Sequence, residues 1–124
     1  MAVVLNHTVV AVADKHAGAR FLADLLGLRV LPEAGPFVPV EVNGDLVLEF
    51  DDRHGATPGH YAFLVDEQTF DALEERLRRD PSIEYGSGLK QGWDRRISRA
   101  GEGRGVYIRD PDGHSYEVFT VAPV

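Results

Sequence analysis

The sequence predicts an α+β fold made of two βαβββ modules within one chain of 124 residues. Three observations predict it. Each half opens on an apolar strand bearing a histidine, His7 or His60. Each continues into one helical stretch, and each closes on a strand bearing a glutamate, Glu49 or Glu117. Period-2 and period-3.6 patterns thus follow one another in the same order twice.

Residues 3–12 are rich in β-branched side chains and read as a buried strand. Asp14 is placed to cap a helix in which Ala17, Ala19, Phe21, Leu22, Leu25 and Leu26 recur at helical spacing, and Gly27 ends it. Short strands follow near 29–33, near 37–42 and over 46–50, with Asn43-Gly44 predicting a two-residue hairpin turn. Residues 51–58 are polar and rich in Pro and Gly, as a linker is (module 1 about 1–52, linker about 53–58, module 2 about 59–122).

The second half starts with a strand at 61–65. A helix over 67–79 follows, with Phe70, Leu73 and Leu77 on one face and Pro81 past its end. A short strand near 83–85 precedes a Gly-rich basic stretch. Strands at 106–109 and 116–120 are joined through Asp110-Pro-Asp-Gly113, a β-turn sequence. Side chains two apart share a strand face. Thus His60 goes with Ala62 and Leu64, Glu117 with Phe119, and Tyr107 with Gly105 and Arg109. Phe21, Leu25, Phe70 and Leu73 are core.

Composition narrows the function classes. A net charge of −7 argues against a nucleic-acid binder, which needs a basic face. The absence of cysteine removes disulfides, thiolate ligands and a cysteine nucleophile. No apolar run reaches the ~18 residues of a membrane span, and residues 1–7 carry no signal-peptide pattern. The expectation is a single soluble, cytoplasmic domain that buries roughly two thirds of its unfolded surface.

Ionisable groups inside apolar strands are costly unless paired. Two imidazoles and two carboxylates at symmetric places suit a divalent metal. His60 and Glu117 are the first candidates, and a core histidine hydrogen-bonded to Glu117 with no metal is the alternative. Glu49 reads as a ligand, as a general base, or as an exposed edge-strand carboxylate. Tyr107 is a candidate proton donor or acceptor, or a half-buried aromatic. The stretch 90–104 holds five basic and two acidic residues together with Trp93. It reads either as a lid over an anionic substrate, with Trp93, Arg95, Arg96, Arg104 and Arg109 as substrate contacts, or as a solvated loop balancing the acidic body. His16, His54 and His114 are expected at the surface.

The segment Gly105-Val-Tyr-Ile-Arg-Asp-Pro-Asp-Gly-His-Ser-Tyr-Glu-Val-Phe119 resembles the closing hairpin of the vicinal-oxygen-chelate superfamily (glyoxalase, bleomycin resistance protein and extradiol dioxygenase). His7, Glu49 and His60 match the metal positions of its first, fourth and fifth strands. The resemblance spans essentially the whole chain. It implies a cup-shaped, partly open barrel around a central site and a ligand set of His7, His60, Glu117 and Glu49. The implied cofactor is one divalent metal, Fe(II), Mn(II), Ni(II) or Zn(II), which chelates a small-molecule substrate through two neighbouring oxygens. The open sheet edges of two half-cups predict a homodimer, with the site shared between copies or closed within one chain, and the charge and hydropathy predict no nucleic-acid or membrane partner.

Several branches fit the resemblance. The complete four-ligand set, including Glu49 as the mobile base, is similar to glyoxalase I. Tyr107, ten residues before Glu117, is similar to the acid/base tyrosine of extradiol dioxygenases, while His54 falls in the linker rather than at their second-sphere histidine. Val9 stands where fosfomycin transferases usually carry threonine, and the chain stops before their carboxy-terminal arginine. That branch therefore ranks behind the others. The expectation is a metal-dependent lyase, isomerase or dioxygenase acting on a small oxygenated, possibly anionic substrate. The runner-up is a metal-free antibiotic-binding protein of the bleomycin-resistance type.

Overall fold

A computed structural model describes residues 2–99 and 101–123. The chain divides into two compact units, Met1–Pro58 and Gly59–Val124. In the first, β1 (His7–Ala11) leads into α1 (Lys15–Leu26), followed by β2 (Arg29–Val30), β3 (Val38–Glu41) and β4 (Val47–Asp51). In the second, β5 (His60–Leu64) leads into α2 (Glu67–Arg79), β6 (Glu84–Gly86), β7 (Gly105–Arg109) and β8 (Ser115–Phe119), with a single 3-10 turn at Leu89–Gln91.

Both units have the same sheet topology. The strand orders are β1-β4-β3-β2 and β5-β8-β7-β6. The first and last strands of each unit pair in parallel and the others pair antiparallel. Each sheet is open, with edge strands at both ends. Glu49 therefore lies on an interior strand, which removes its edge-strand reading.

The helices start and stop where side-chain chemistry dictates. Asp14 accepts the amides of His16 and Ala17, and Gly27 closes α1 in the left-handed region at φ 68°. Asp66 accepts the Thr69 amide at the start of α2. Gly18 brings α1 close onto its sheet, since a Cβ there would stand 3.0 Å from Val12 Cγ1 and 3.1 Å from Phe50 Cδ2. The first core joins Leu22 and Leu25 to Val10, Val38, Val40, Leu48 and Phe50. The second joins Phe70, Leu73 and Leu77 to Val106, Ile108, Tyr116 and Val118.

Three expectations change. The first strand is shorter, because Val3, Val4 and Leu5 are exposed and precede it. The Asn43-Gly44 turn is longer than two residues: Asn43 Oδ1 accepts the amides of Asp45 and Leu46, and Val42 donates to the Leu46 carbonyl. Neither Asn43 nor Gly44 adopts the positive φ that a two-residue turn of that type requires. His114 is fully buried rather than superficial.

Candidate metal centre

Parity assigns each sheet a core face and an open face. The alternate positions Val10, Leu48 and Phe50, and Val106, Ile108, Tyr116 and Val118, are buried under the helices. The remaining positions face outward. These include His7, Val9 and Glu49 in one sheet, and His60, Leu64, Tyr107, Glu117 and Phe119 in the other. Val9 is 44% and Leu64 62% exposed on these faces.

In the second unit, His60 Nε2 lies 3.1 Å from Glu117 Oε1, and its Nδ1 lies 3.3 Å from Ser115 Oγ. The Tyr107 ring stacks near the imidazole at 6.1 Å between centroids. Tyr107 is also the register partner of Glu117. Burial, and then the charge of the Glu117 carboxylate, push the Tyr107 phenol above its ordinary pKa and keep it protonated.

The first unit repeats the pair. His7 Nε2 lies 3.7 Å from Glu49 Oε1, while His7 Nδ1 meets Asn6 Oδ1 at 2.9 Å. An amide oxygen only accepts, so Nδ1 carries a hydrogen. In the neutral ring Nε2 then presents a lone pair toward a carboxylate oxygen. Two acceptors face one another across a gap that a cation or a proton fills. Imidazole nitrogen with carboxylate oxygen suits borderline divalent metals, so the donor chemistry of both pairs fits the expected ion.

A third group, Asp110, Asp112 and His114, also brings possible ligand atoms within 4.8 Å of one another. It has another occupation. Asp110 Oδ1 accepts the amides of Asp112 and His114, and His114 Nδ1 accepts the Gly59 amide at 2.9 Å. These bonds fold the β7–β8 turn and moor it to the start of β5. Burial pushes the Asp110 carboxyl up from its usual range, and the Tyr116 hydroxyl, deep in the same cluster, is pushed up as well. Its rings pack on Tyr61, Phe63 and His114.

The expected substrate contacts separate. Arg104 is turned into the fold: it pairs with Glu67, Asp71 and Glu74 of α2 and covers the Phe70 ring at 4.5 Å. Arg95 donates to the carbonyls of Ile83 and Leu77 and stacks on Tyr85 at 4.6 Å. Carboxylates already match the charge of Arg104, while Arg95 stays exposed with its guanidinium donating to two carbonyls. Arg109 shares the open-face parity of Tyr107 and pairs with Glu84 at 3.7 Å. Arg96 is exposed and Trp93 half-buried in the loop. His54 is exposed in the linker, and His16 pairs with Glu33.

Ser115 and Asn6, which hold the Nδ1 atoms, were not anticipated. The signal was present for Ser115, two residues before Glu117 on the same strand face.

Among the described residues no helix is long and apolar enough to cross a membrane. A family model described as Glyoxalase/Bleomycin resistance protein/Dioxygenase superfamily matches residues 4–118. Glutathione transferase FosA of Serratia marcescens is 32% identical, the match covering 92% of this chain and 78% of that protein. The solved structure of Oxidase ChaP-H2 superposes with a TM-score of 0.87 at 46% identity, covering 98% of this chain and 96% of its own. Oxidase ChaP-H1 gives 0.86 at 42% identity, covering 98% of both chains. The fosfomycin branch, ranked behind the others on sequence, thus supplies a relative, while oxidases supply structures of higher identity. With this match over nearly its whole length and this paired βαβββ topology, the chain belongs to the Glyoxalase/Bleomycin resistance protein/Dioxygenase superfamily.

Proposed function

We propose that the chain is a divalent-metal-dependent enzyme that oxidises a small substrate carrying two neighbouring oxygens, with dioxygen as co-substrate. One observation carries this reading. His60, Glu117 and Tyr107 meet on the open face of one sheet, where an imidazole, a carboxylate and a protonated phenol are all within reach of one ligand. Oxidation is favoured over the other branches because both solved structures compared above are named oxidases.

His60 and Glu117 would hold the metal in the second unit, and His7 and Glu49 offer the same donor pair in the first. A divalent ion so held supplies Lewis acidity toward the substrate's paired oxygens. The protein's own groups do the rest. Ser115 Oγ both donates and accepts, so it serves either tautomer of His60 and holds the ring plane when Nε2 gives up its hydrogen. Tyr107 keeps its proton on Oη and delivers it to a substrate oxygen as charge develops there. The same reading carries a homodimer, supported by the exposed apolar side chains Val9 and Leu64 on the open faces. Sedimentation of the purified chain as a monomer at micromolar concentration counts against that part.

The experiment loads the chain with Fe(II), Mn(II), Ni(II) or Zn(II) and presents catechols and enediols with and without dioxygen. Metal- and dioxygen-dependent turnover is expected. It is abolished by His60→Ala and Glu117→Gln, and lowered about 100-fold or more by Tyr107→Phe. Ligand binding that is untouched by all three substitutions, without turnover, supports sequestration instead.

A further inference from the structure

A cavity of about 240 Å³ opens beside Glu117 in the second unit, walled by Ser98, Gly103, Gly105, Phe119 and Val121. An apolar cavity of ~150 Å³ already admits benzene, and pockets for whole drug-sized ligands start near ~300 Å³. This one accommodates a ring-sized part of a ligand.

Gly105 is the telling residue of its wall. A glycine inside a strand weakens it, because a β-branched residue packs there and restricts the unfolded chain more. Two things ordinarily require one, and neither applies. Its φ is not among the positive values, and its backbone is tied on both edges: it exchanges hydrogen bonds of 2.8 and 2.9 Å with Ser98 and is the register partner of Phe119. A Cβ at this position would meet nothing nearer than Val118 O at 3.8 Å and Phe119 Cβ at 3.9 Å, which is ordinary contact. Gly103 is the contrast: a Cβ there would stand 2.7 Å from Thr120 Oγ1 and 2.8 Å from Val121 Cγ2, so packing alone demands glycine. What the missing side chain of residue 105 provides is open space on the face that carries Tyr107 and Glu117.

The charges of the wall specify what fills that space. Its charged members are Glu102, Glu117 and Arg104. The single cation among them is matched by Glu67, Asp71 and Glu74 on α2. An anionic group would meet two carboxylates and a neutralised arginine, whereas a flat uncharged group meets the Phe119 ring and the Val121 side chain.

We propose that this cavity is the subsite for an uncharged, ring-sized apolar portion of the substrate, and that Gly105 sets its size. The inference rests on the reading of Glu117 as part of the active centre, and it replaces the anionic substrate expected from the basic stretch.

The test measures binding of 2-naphthol and of 2-naphthalenesulfonate to the full chain with chelator present, for the wild type, Gly105→Ala and Gly105→Val. Wild type is expected to bind 2-naphthol and to bind the sulfonate at least about tenfold more weakly. Gly105→Val weakens 2-naphthol about tenfold or more and Gly105→Ala less, with thermal midpoints no lower than wild type. If valine disturbs the fold, the alanine variant decides, since its Cβ has room. No 2-naphthol binding by wild type, equal binding by both variants, or tighter sulfonate binding overturns the proposal. Metal uptake by the same samples is measured separately. Its failure removes the metal-enzyme reading while the naphthol result still judges the cavity.

Discussion

His60 and Glu117 meet on a diagonal. The register partner of His60 is Ser115, and Glu117 faces Ala62, yet the imidazole Nε2 reaches across to within 3.1 Å of the carboxylate. His7 does the same in the other sheet, standing opposite Val47 and reaching Glu49 two residues on. Diagonal neighbours on one face of a strand pair lie within reach of long side chains. The residue directly opposite each histidine is therefore left free to differ, and in the second sheet that residue, Ser115, holds Nδ1.

Ser115→Ala removes that hold without disturbing the core, because the serine lies on the open face. Loss of a partner to a ligating histidine typically costs ten- to a hundredfold in metal affinity. We expect an affinity for Zn(II) lower by about tenfold or more by competition titration, with an unchanged thermal midpoint in chelator. Unchanged affinity means Ser115 does not orient the ring.

Arg104 is expected to matter to stability and not to metal binding. Arg104→Met removes the shared partner of Glu67, Asp71 and Glu74, leaves Glu74 with Arg78 and Arg99, and uncovers Phe70. Glu67 and Asp71 are largely exposed, so solvent screens their share, and most of the effect lies with the half-buried Glu74. Losing such a charged hydrogen bond costs about 2 kcal/mol, seen as a thermal midpoint several degrees lower. Zn(II) affinity measured well below that midpoint stays at the wild-type value. A loss of metal or ligand binding with stability intact would return Arg104 to the substrate.

The Asp51–Arg53 pair gives a pH signature. Hydrogen bonds from the Arg53 side chain and amide hold the Asp51 carboxyl at about 2, below the ordinary 3.8. A depressed carboxylate contributes stability that is fully present above the ordinary value and is lost as pH falls toward about 2. Asp51→Asn lacks this contribution at neutral pH. Its thermal midpoint should therefore fall less than that of wild type between pH 3.8 and about 2. Parallel pH profiles for the two proteins contradict the assignment.

Much of this was legible in the sequence because the governing signals are local. Asp14, Gly27 and Asp66 are capping residues read from their own neighbours, and α2 runs over the predicted residues. Period-2 parity alone placed His60, Tyr107 and Glu117 on compatible faces. What escaped depended on contacts far apart in the chain. Arg104 finds its carboxylates 30 and 37 positions earlier, and His114 is buried because it accepts an amide 55 positions away. Local spacing carries no trace of such partners, so the basic stretch reads equally as a lid or as a solvated loop, and the inward hydrogen bonds of two of its arginines do not show. The cavity escaped for a related reason: a strand glycine reveals empty space only once its neighbours are known.

The central claim is that His60 and Glu117 hold a divalent metal. Elemental analysis of the protein purified without chelator or a nickel-binding tag tests it most directly, alongside His60→Ala and Glu117→Gln. The account predicts about one divalent ion per chain in wild type, lost from both variants while their folds persist. An ion retained by both variants, or none taken up by wild type when Fe(II), Mn(II), Ni(II) and Zn(II) are each supplied, would contradict it.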